Sequence, residues 1–134
     1  MSGLVLKLAP RERVLVNGAV IENGERRARV SVVTPNAKVL RLRDAIHPEQ
    51  ATTPVRRVCY LAQLVLSGDM TAEAARHQLV RGIEQLSRVF TDADSRRQLA
   101  DATQAVIDGA HYEALKALRN LLPREERLMA AYPS

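Results

Sequence analysis

Two Asn-Gly dipeptides, separated by four residues, constrain the fold of this chain more than any other feature of its sequence. They are Asn17-Gly18 and Asn23-Gly24, and both lie in the stretch from Val14 to Val33. A two-residue type I′ turn needs positive φ at both central residues, which glycine adopts freely and asparagine tolerates. The residues around both dipeptides are β-branched or alternate in polarity. The stretch therefore predicts a tight β-meander, with an arginine cluster directly after its second turn.

A period-two alternation of aliphatic and polar residues extends this β pattern over the first third of the chain. The aliphatic side chains are expected to point inward and the arginines outward, as in an antiparallel sheet with one packed face and one wet face. The expected strands are Leu4 to Leu8, Arg13 to Val16, Ala19 to Glu22, a strand from about residue 25 to Thr34, and Val39 to Arg43, with a type I turn at Thr34-Pro35-Asn36-Ala37.

The remainder of the chain shows the three- and four-residue spacing of apolar side chains that is typical of amphipathic helices. Gly82, inside the second of these helices, indicates a close contact with a neighbouring element. The expected helices run from a Thr53 cap and Pro54 to Leu66, from a Thr71 cap to about Phe90, from a capping box at Thr91 and Asp94 to Gly109, and from Tyr112 to Leu122, where Pro123 ends the helix before a short last helix or tail over Arg124 to Ala131.

These patterns predict an α+β fold, with an N-terminal antiparallel β-meander followed by a bundle of about four α-helices. A β-rich basic lobe is expected over residues 1–47 and a helical lobe over residues 48–134, and the two should form one compact unit. The chain has 134 residues, a length that suits a single domain with a substantial core.

The net charge of +5 is unevenly distributed along the chain. Residues 1–43 hold nine Lys or Arg against three acidic residues, whereas the remainder holds eleven basic and twelve acidic residues. All the excess positive charge therefore lies in the β-rich third. Such asymmetry favours a polyanionic partner, either nucleic acid or anionic lipid, although a merely solvated surface would have the same composition.

Several classes of chemistry find no support in the sequence. The three histidines are far apart and there is no CxxC, so neither a metal site nor a cofactor is expected. Cys59 lies on the apolar face of a helix, where a thiol is usually buried and inert. No phosphate-binding loop or nucleophile motif occurs, which predicts a protein with no catalytic residues that is not an enzyme. A single cysteine, no secretory signal pattern and no apolar run of membrane-spanning length favour a cytoplasmic protein.

Arginine is the residue type expected to contact a nucleic acid here, since its planar guanidinium pairs with phosphate or stacks on a base. Aromatic residues amount to only 3%, which argues against an aromatic stacking platform, and Tyr60 and Tyr112 are more readily explained as half-buried core residues. If the two last strands pair across Pro35-Asn36, four outward guanidiniums converge on one face. The candidate RNA-binding residues are Arg13, Arg26, Arg27, Arg29, Arg41 and Arg43.

The run from Asn17 to Ile21, followed by Asn23-Gly24 and by Arg26, Arg27 and Arg29, resembles the N-terminal signature of the FlbT family of flagellar biosynthesis regulators. The segment from Thr53 to Gln63 is similar to the first helix of that family. The resemblance implies a cytoplasmic post-transcriptional regulator that binds the 5′ untranslated region of flagellin messenger RNA and represses its translation or promotes its degradation. In some members the effect on flagellin is positive. The resemblance assigns no residue to RNA contact.

Protein binding is the alternative to RNA binding. The helical lobe would then serve as an interaction module, or as a chaperone-like factor, for a flagellar protein or another flagellar regulatory protein. Exposed edge strands such as Leu4 to Leu8 also predict a homodimer formed through the β part. Membrane-surface binding ranks last, because no basic amphipathic helix is evident.

Overall fold

The computed structural model describes residues 4–131. Antiparallel strands come first and helices follow, which confirms the α+β prediction. The strands are β1 (Leu4–Leu8), β2 (Arg13–Val16), β3 (Ala19–Glu22), β4 (Ala28–Val32) and β5 (Val39–Arg41), and the helices are α1 (Pro54–Ser67), α2 (Ala72–Ser87), α3 (Ala93–Ile107), α4 (His111–Arg119) and α5 (Leu122–Ala131).

The strands form two antiparallel sheets in place of one continuous meander. The first sheet contains β1 and β4, and the second has the order β3-β2-β5. Only β2 and β3, among the described strands, are both consecutive in sequence and paired. The predicted pairing of each strand with the next is therefore wrong beyond this hairpin, because β4 crosses over to pair with β1 at the start of the chain.

The two Asn-Gly dipeptides have different structures. Asn17 and Gly18 have φ of 47° and 87°, which confirms the type I′ turn predicted between β2 and β3. Asn23 and Gly24 lack positive φ, so the second predicted hairpin turn is wrong. The side-chain nitrogen Nδ2 of Asn23 instead donates hydrogen bonds of 2.8 and 2.9 Å to the carbonyls of Ala9 and Arg26. These bonds hold the chain as it leaves one sheet for the other.

The connection between β4 and β5 also differs from the prediction. Asn36 has φ of 54°, whereas a type I turn has negative φ at that position. The strands on either side belong to different sheets, so this turn does not close a hairpin. Strand β5 ends at Arg41, and residues 42–44 form a 3-10 turn instead of the two further strand residues expected.

The second sheet lies between the first sheet and the helices. One of its faces carries Val14 and Val39, which form a small core with Leu6 and Leu8 of β1. Its other face contributes Leu40 to the larger helical core, with Leu15 packed beside it. The alternation of side chains in β2 and β5 thus supplies both cores at once.

The helices follow the predicted boundaries closely at their N-termini. Thr53 and Thr71 cap α1 and α2 as expected, each accepting a hydrogen bond from the backbone three residues later. The cap of α3 is Asp92, not Thr91, because the Asp92 carboxylate accepts from Ser95 N at 3.0 Å. This hydrogen bonding lowers the pKa of Asp92. Pro123 lies in the first turn of α5, after the break that ends α4, where its missing N–H is tolerated.

Candidate nucleic-acid interface

Basic side chains from both sheets line one open groove of about 500 Å³. The groove lies where the edge of the first sheet meets the end of β5. Leu8, Ala9 and Ala28 also line it. We call it the basic groove, and its charged residues are Lys7, Arg27, Arg29, Arg41 and Arg43.

Two of these cations are opposite each other on paired strands. Lys7 of β1 is the register partner of Arg29 of β4. Like charges directly opposite one another destabilise a sheet. Within residues 4–131, no carboxylate lies close enough to form an ion pair with Lys7, Arg27 or Arg29. A bound anion would therefore relieve a repulsion that the fold itself leaves uncompensated.

A buried carboxylate holds the other two cations. Glu12 has a side chain that is only 4% exposed, and its Oε2 lies 3.3 Å from Arg41 Nε and 3.4 Å from Arg43 Nε. Arg41 also donates to the Lys7 carbonyl, and its side chain is 14% exposed. Arg41 thus packs between the sheets, and the prediction that its side chain lies on the wet face is wrong. Arg43, at 55% exposed, remains available to a ligand.

The convergence of Arg27, Arg29, Arg41 and Arg43 occurs by a different route from the predicted one. Strands β4 and β5 do not pair; β4 pairs with β1, and Arg41 bonds the β1 backbone at Lys7. The first sheet, packed over the second, brings the four side chains to one groove.

The other two predicted residues lie outside the basic groove. Arg13 donates a 2.9 Å hydrogen bond to Glu22 on the neighbouring strand. It occupies the same face of β2 as Leu15, on the helical side of the sheet. Arg26 is exposed in the connection between β3 and β4 and does not line the groove.

Lys7 lines the basic groove although the sequence pattern does not predict it. The alternation of Leu4, Leu6 and Leu8 does place Lys7 on the outer face of its strand. Its position opposite Arg29 depends on the pairing of β1 with β4, which are separated by two other strands. No short-range signal in the sequence encodes that pairing.

Three other side chains that could carry chemistry, Cys59, His111 and Tyr112, are buried or half-buried. Cys59 is buried, and burial raises the pKa of its thiol to about 12. Burial also lowers the pKa of His111, whose Nδ1 lies 3.2 Å from the Gly109 carbonyl. Tyr112 packs against both cores.

Across the described residues, no three acidic, histidine or cysteine side chains cluster as metal ligands would. No helix in the same range is long and apolar enough to cross a membrane.

Comparison with known proteins identifies the family. Residues 4–129 match the family described as flagellar protein FlbT. A probable flagellum biosynthesis repressor protein FlbT of Caulobacter sp. (strain K31) is 31% identical over 124 residues, covering 92% of this chain and 94% of the relative. The corresponding protein of Mesorhizobium japonicum is 32% identical over 126 residues, covering 94% and 84%.

A third relative, the probable flagellum biosynthesis repressor protein FlbT 1 of Bradyrhizobium diazoefficiens, is 35% identical over 132 residues, covering 96% of this chain and 86% of the relative. No solved structure matches significantly. The family match spans both sheets and nearly all of the helical part, and the relatives align over most of their own length. The chain therefore belongs to the FlbT family of flagellar proteins.

Proposed function

We propose that this protein represses flagellum biosynthesis in the cytoplasm by binding the 5′ untranslated region of flagellin messenger RNA at the basic groove. The names of its relatives support the repressor role. The observation that carries the RNA contact is the pairing of Lys7 with Arg29 beside Arg27, with no carboxylate among the described residues to neutralise them. Such a cluster stabilises the binding of a polyanion.

The side chains of the basic groove suggest how RNA would be held. The guanidiniums of Arg27, Arg29 and Arg43 can each donate two parallel hydrogen bonds to a phosphate, while Lys7 acts as a point charge. Arginine planes can also stack on unpaired bases, which compensates for the absence of an aromatic platform. An open groove suits a single-stranded leader better than a closed pocket would. Protein bound to the leader would then impede translation of the message or expose it to degradation.

Binding of a labelled flagellin leader RNA, measured over a range of salt concentrations, tests this proposal. Each phosphate contact with single-stranded RNA contributes roughly −0.7 to the slope of log K against log salt. Replacing Lys7, Arg27 and Arg29 together by Ala should reduce that slope by about two units and weaken binding. These side chains face solvent, so circular dichroism should show an unchanged fold.

The matched control removes the same charge from the helices. Arg76, Arg96 and Arg127 are exposed, and none forms an ion pair within the described residues. Their triple Ala variant should bind the leader almost as well as the wild-type protein does. If both triple variants keep the wild-type affinity and slope, RNA does not bind at the basic groove. If the wild-type protein binds no leader RNA at all, protein binding becomes the better explanation of the repressor role.

A further inference from the structure

Strand β3 forms an edge of the second sheet that nothing in the described chain covers. All four of its residues are exposed, and the apolar side chains of Val20 and Ile21 are 60% and 48% exposed. The strand contains no proline, bulge or lysine of the kind that protects natural sheet edges. Its only charged residue, Glu22, already pairs with Arg13. An uncovered apolar edge of this kind can accept another strand.

The register of the hairpin shows which backbone groups are free. Asn23 N donates to the Glu12 carbonyl at 2.8 Å, so this pair is hydrogen-bonded. Hydrogen-bonded and non-bonded pairs alternate along an antiparallel ladder. Val20 and Glu22 therefore occupy the non-hydrogen-bonded positions opposite β2. Their backbone N–H and C=O groups point away from β2. No other backbone or side-chain group in residues 4–131 bonds to them.

We propose that the free edge of β3 pairs antiparallel with β3 of a second copy of this chain, with the two-fold axis at Ile21. In this register Val20 of each copy lies opposite Glu22 of the other. The outward N–H and C=O groups of both residues are then all satisfied, giving four ladder hydrogen bonds. The edge is thus complementary to itself, as a two-fold interface requires.

The side chains favour the same register. Ile21 lies on the same face as buried Val14, its partner on β2, at the margin of the small core between the sheets. The two Ile21 residues would form a non-bonded pair, with Cα atoms about 4.5 Å apart, the closest approach in an antiparallel ladder. Each Ile21 would cover the other and extend the small core. Four hydrogen bonds and a few apolar side chains form a small interface, so the dimer should be weak and depend on concentration.

A single introduced cysteine tests the contact and its register together. In Ile21→Cys, two thiols would face each other at a distance that a disulfide spans, so mild oxidation at high micromolar concentration should give mainly covalent dimer. In Val20→Cys, which is at least as exposed, the two sulfurs would lie diagonally and too far apart to bridge. Native Cys59 should not interfere, because it is buried and the pKa of its thiol is raised.

Sedimentation of two further variants supplies an independent reading. Val20→Pro removes an outward N–H that β2 does not use, so the sheet should persist while self-association is lost. Val33→Ala, at a 77% exposed position outside the strands, should associate as the wild-type protein does. Equal cross-linking of the Ile21→Cys and Val20→Cys variants, or a wild-type protein that stays monomeric at high micromolar concentration, would overturn the proposal.

Discussion

The buried carboxylate of Glu12 holds two arginines of the basic groove in place. Its carboxylate contacts two arginines and also accepts a 2.9 Å hydrogen bond from Ala9 N. A charge this deeply buried is tolerated only when it is paired. Arg41 is the last residue of β5 and Arg43 lies in the 3-10 turn that follows, so Glu12 links the end of that strand to the turn. The basic groove therefore combines free cations with cations held in place by the fold.

Gly82 lies at a close contact between α1 and α2, as its place inside a helix predicted. A Cβ built on Gly82 would lie 2.7 Å from Val58 Cγ2, and Val58 is buried and β-branched, so it has little room to move. We expect Gly82→Ala to lower the free energy of unfolding by about 1 kcal/mol, because overpacking outweighs the gain in helix propensity. Urea denaturation measures the change.

The matched background is Val58→Ala, which removes the methyl groups that a Cβ at position 82 would meet. In that background the Gly82→Ala change should become neutral or stabilising, since only the helix-propensity gain is left. If Gly82→Ala raises the free energy of unfolding in the wild-type background, that result contradicts the close contact between position 82 and Val58.

At the scale of elements, the sequence correctly predicted the features that depend on residues close together in the chain. Helix caps at Thr53 and Thr71, and the Asn17-Gly18 hairpin, depend on residues a few positions apart, and each was predicted. Asn23-Gly24 is the same dipeptide, yet β4 pairs with β1, whose residues lie 20 to 28 positions earlier in the chain. Long-range strand pairing determined the conformation there. The same pairing placed Lys7 in the basic groove, so the sequence pointed to all four arginines of the groove but not to Lys7.

The two Asn-Gly glycines provide a matched pair for testing this difference. Gly18 has φ of 87°, and an alanine there would be forced into the left-handed region at a cost of roughly 1 to 2 kcal/mol. Gly24 has no positive φ, and a Cβ at this position would meet no atom within 4 Å, so Gly24→Ala should be neutral or stabilise by up to about 1 kcal/mol. Thermal or urea denaturation of the two variants gives the comparison. Equal losses of stability in the two variants would contradict the difference in φ between Gly18 and Gly24.

At the scale of the whole molecule, three kinds of contact join the β-rich part to the helices. Leu40 of β5 is buried in the helical core. The Ile46 backbone exchanges hydrogen bonds of 2.9 and 3.0 Å with the Gln63 side chain of α1. Arg119 of α4 forms an ion pair of 3.4 Å with Asp44. These contacts favour a single folding unit over two independent lobes.

Leu40→Ala tests whether the two parts unfold together. The Leu40 side chain is only 3% exposed, and truncating such a core leucine costs about 2 to 5 kcal/mol. If the molecule is one unit, helical circular dichroism and amide exchange in β2 should report the same loss in a single transition. Val33→Ala, at a 77% exposed position, should change stability by less than about 0.5 kcal/mol. If amide exchange in β2 accelerates while the helical circular dichroism transition is unchanged, the β-rich part opens on its own. The basic groove can then be lost without unfolding of the helices.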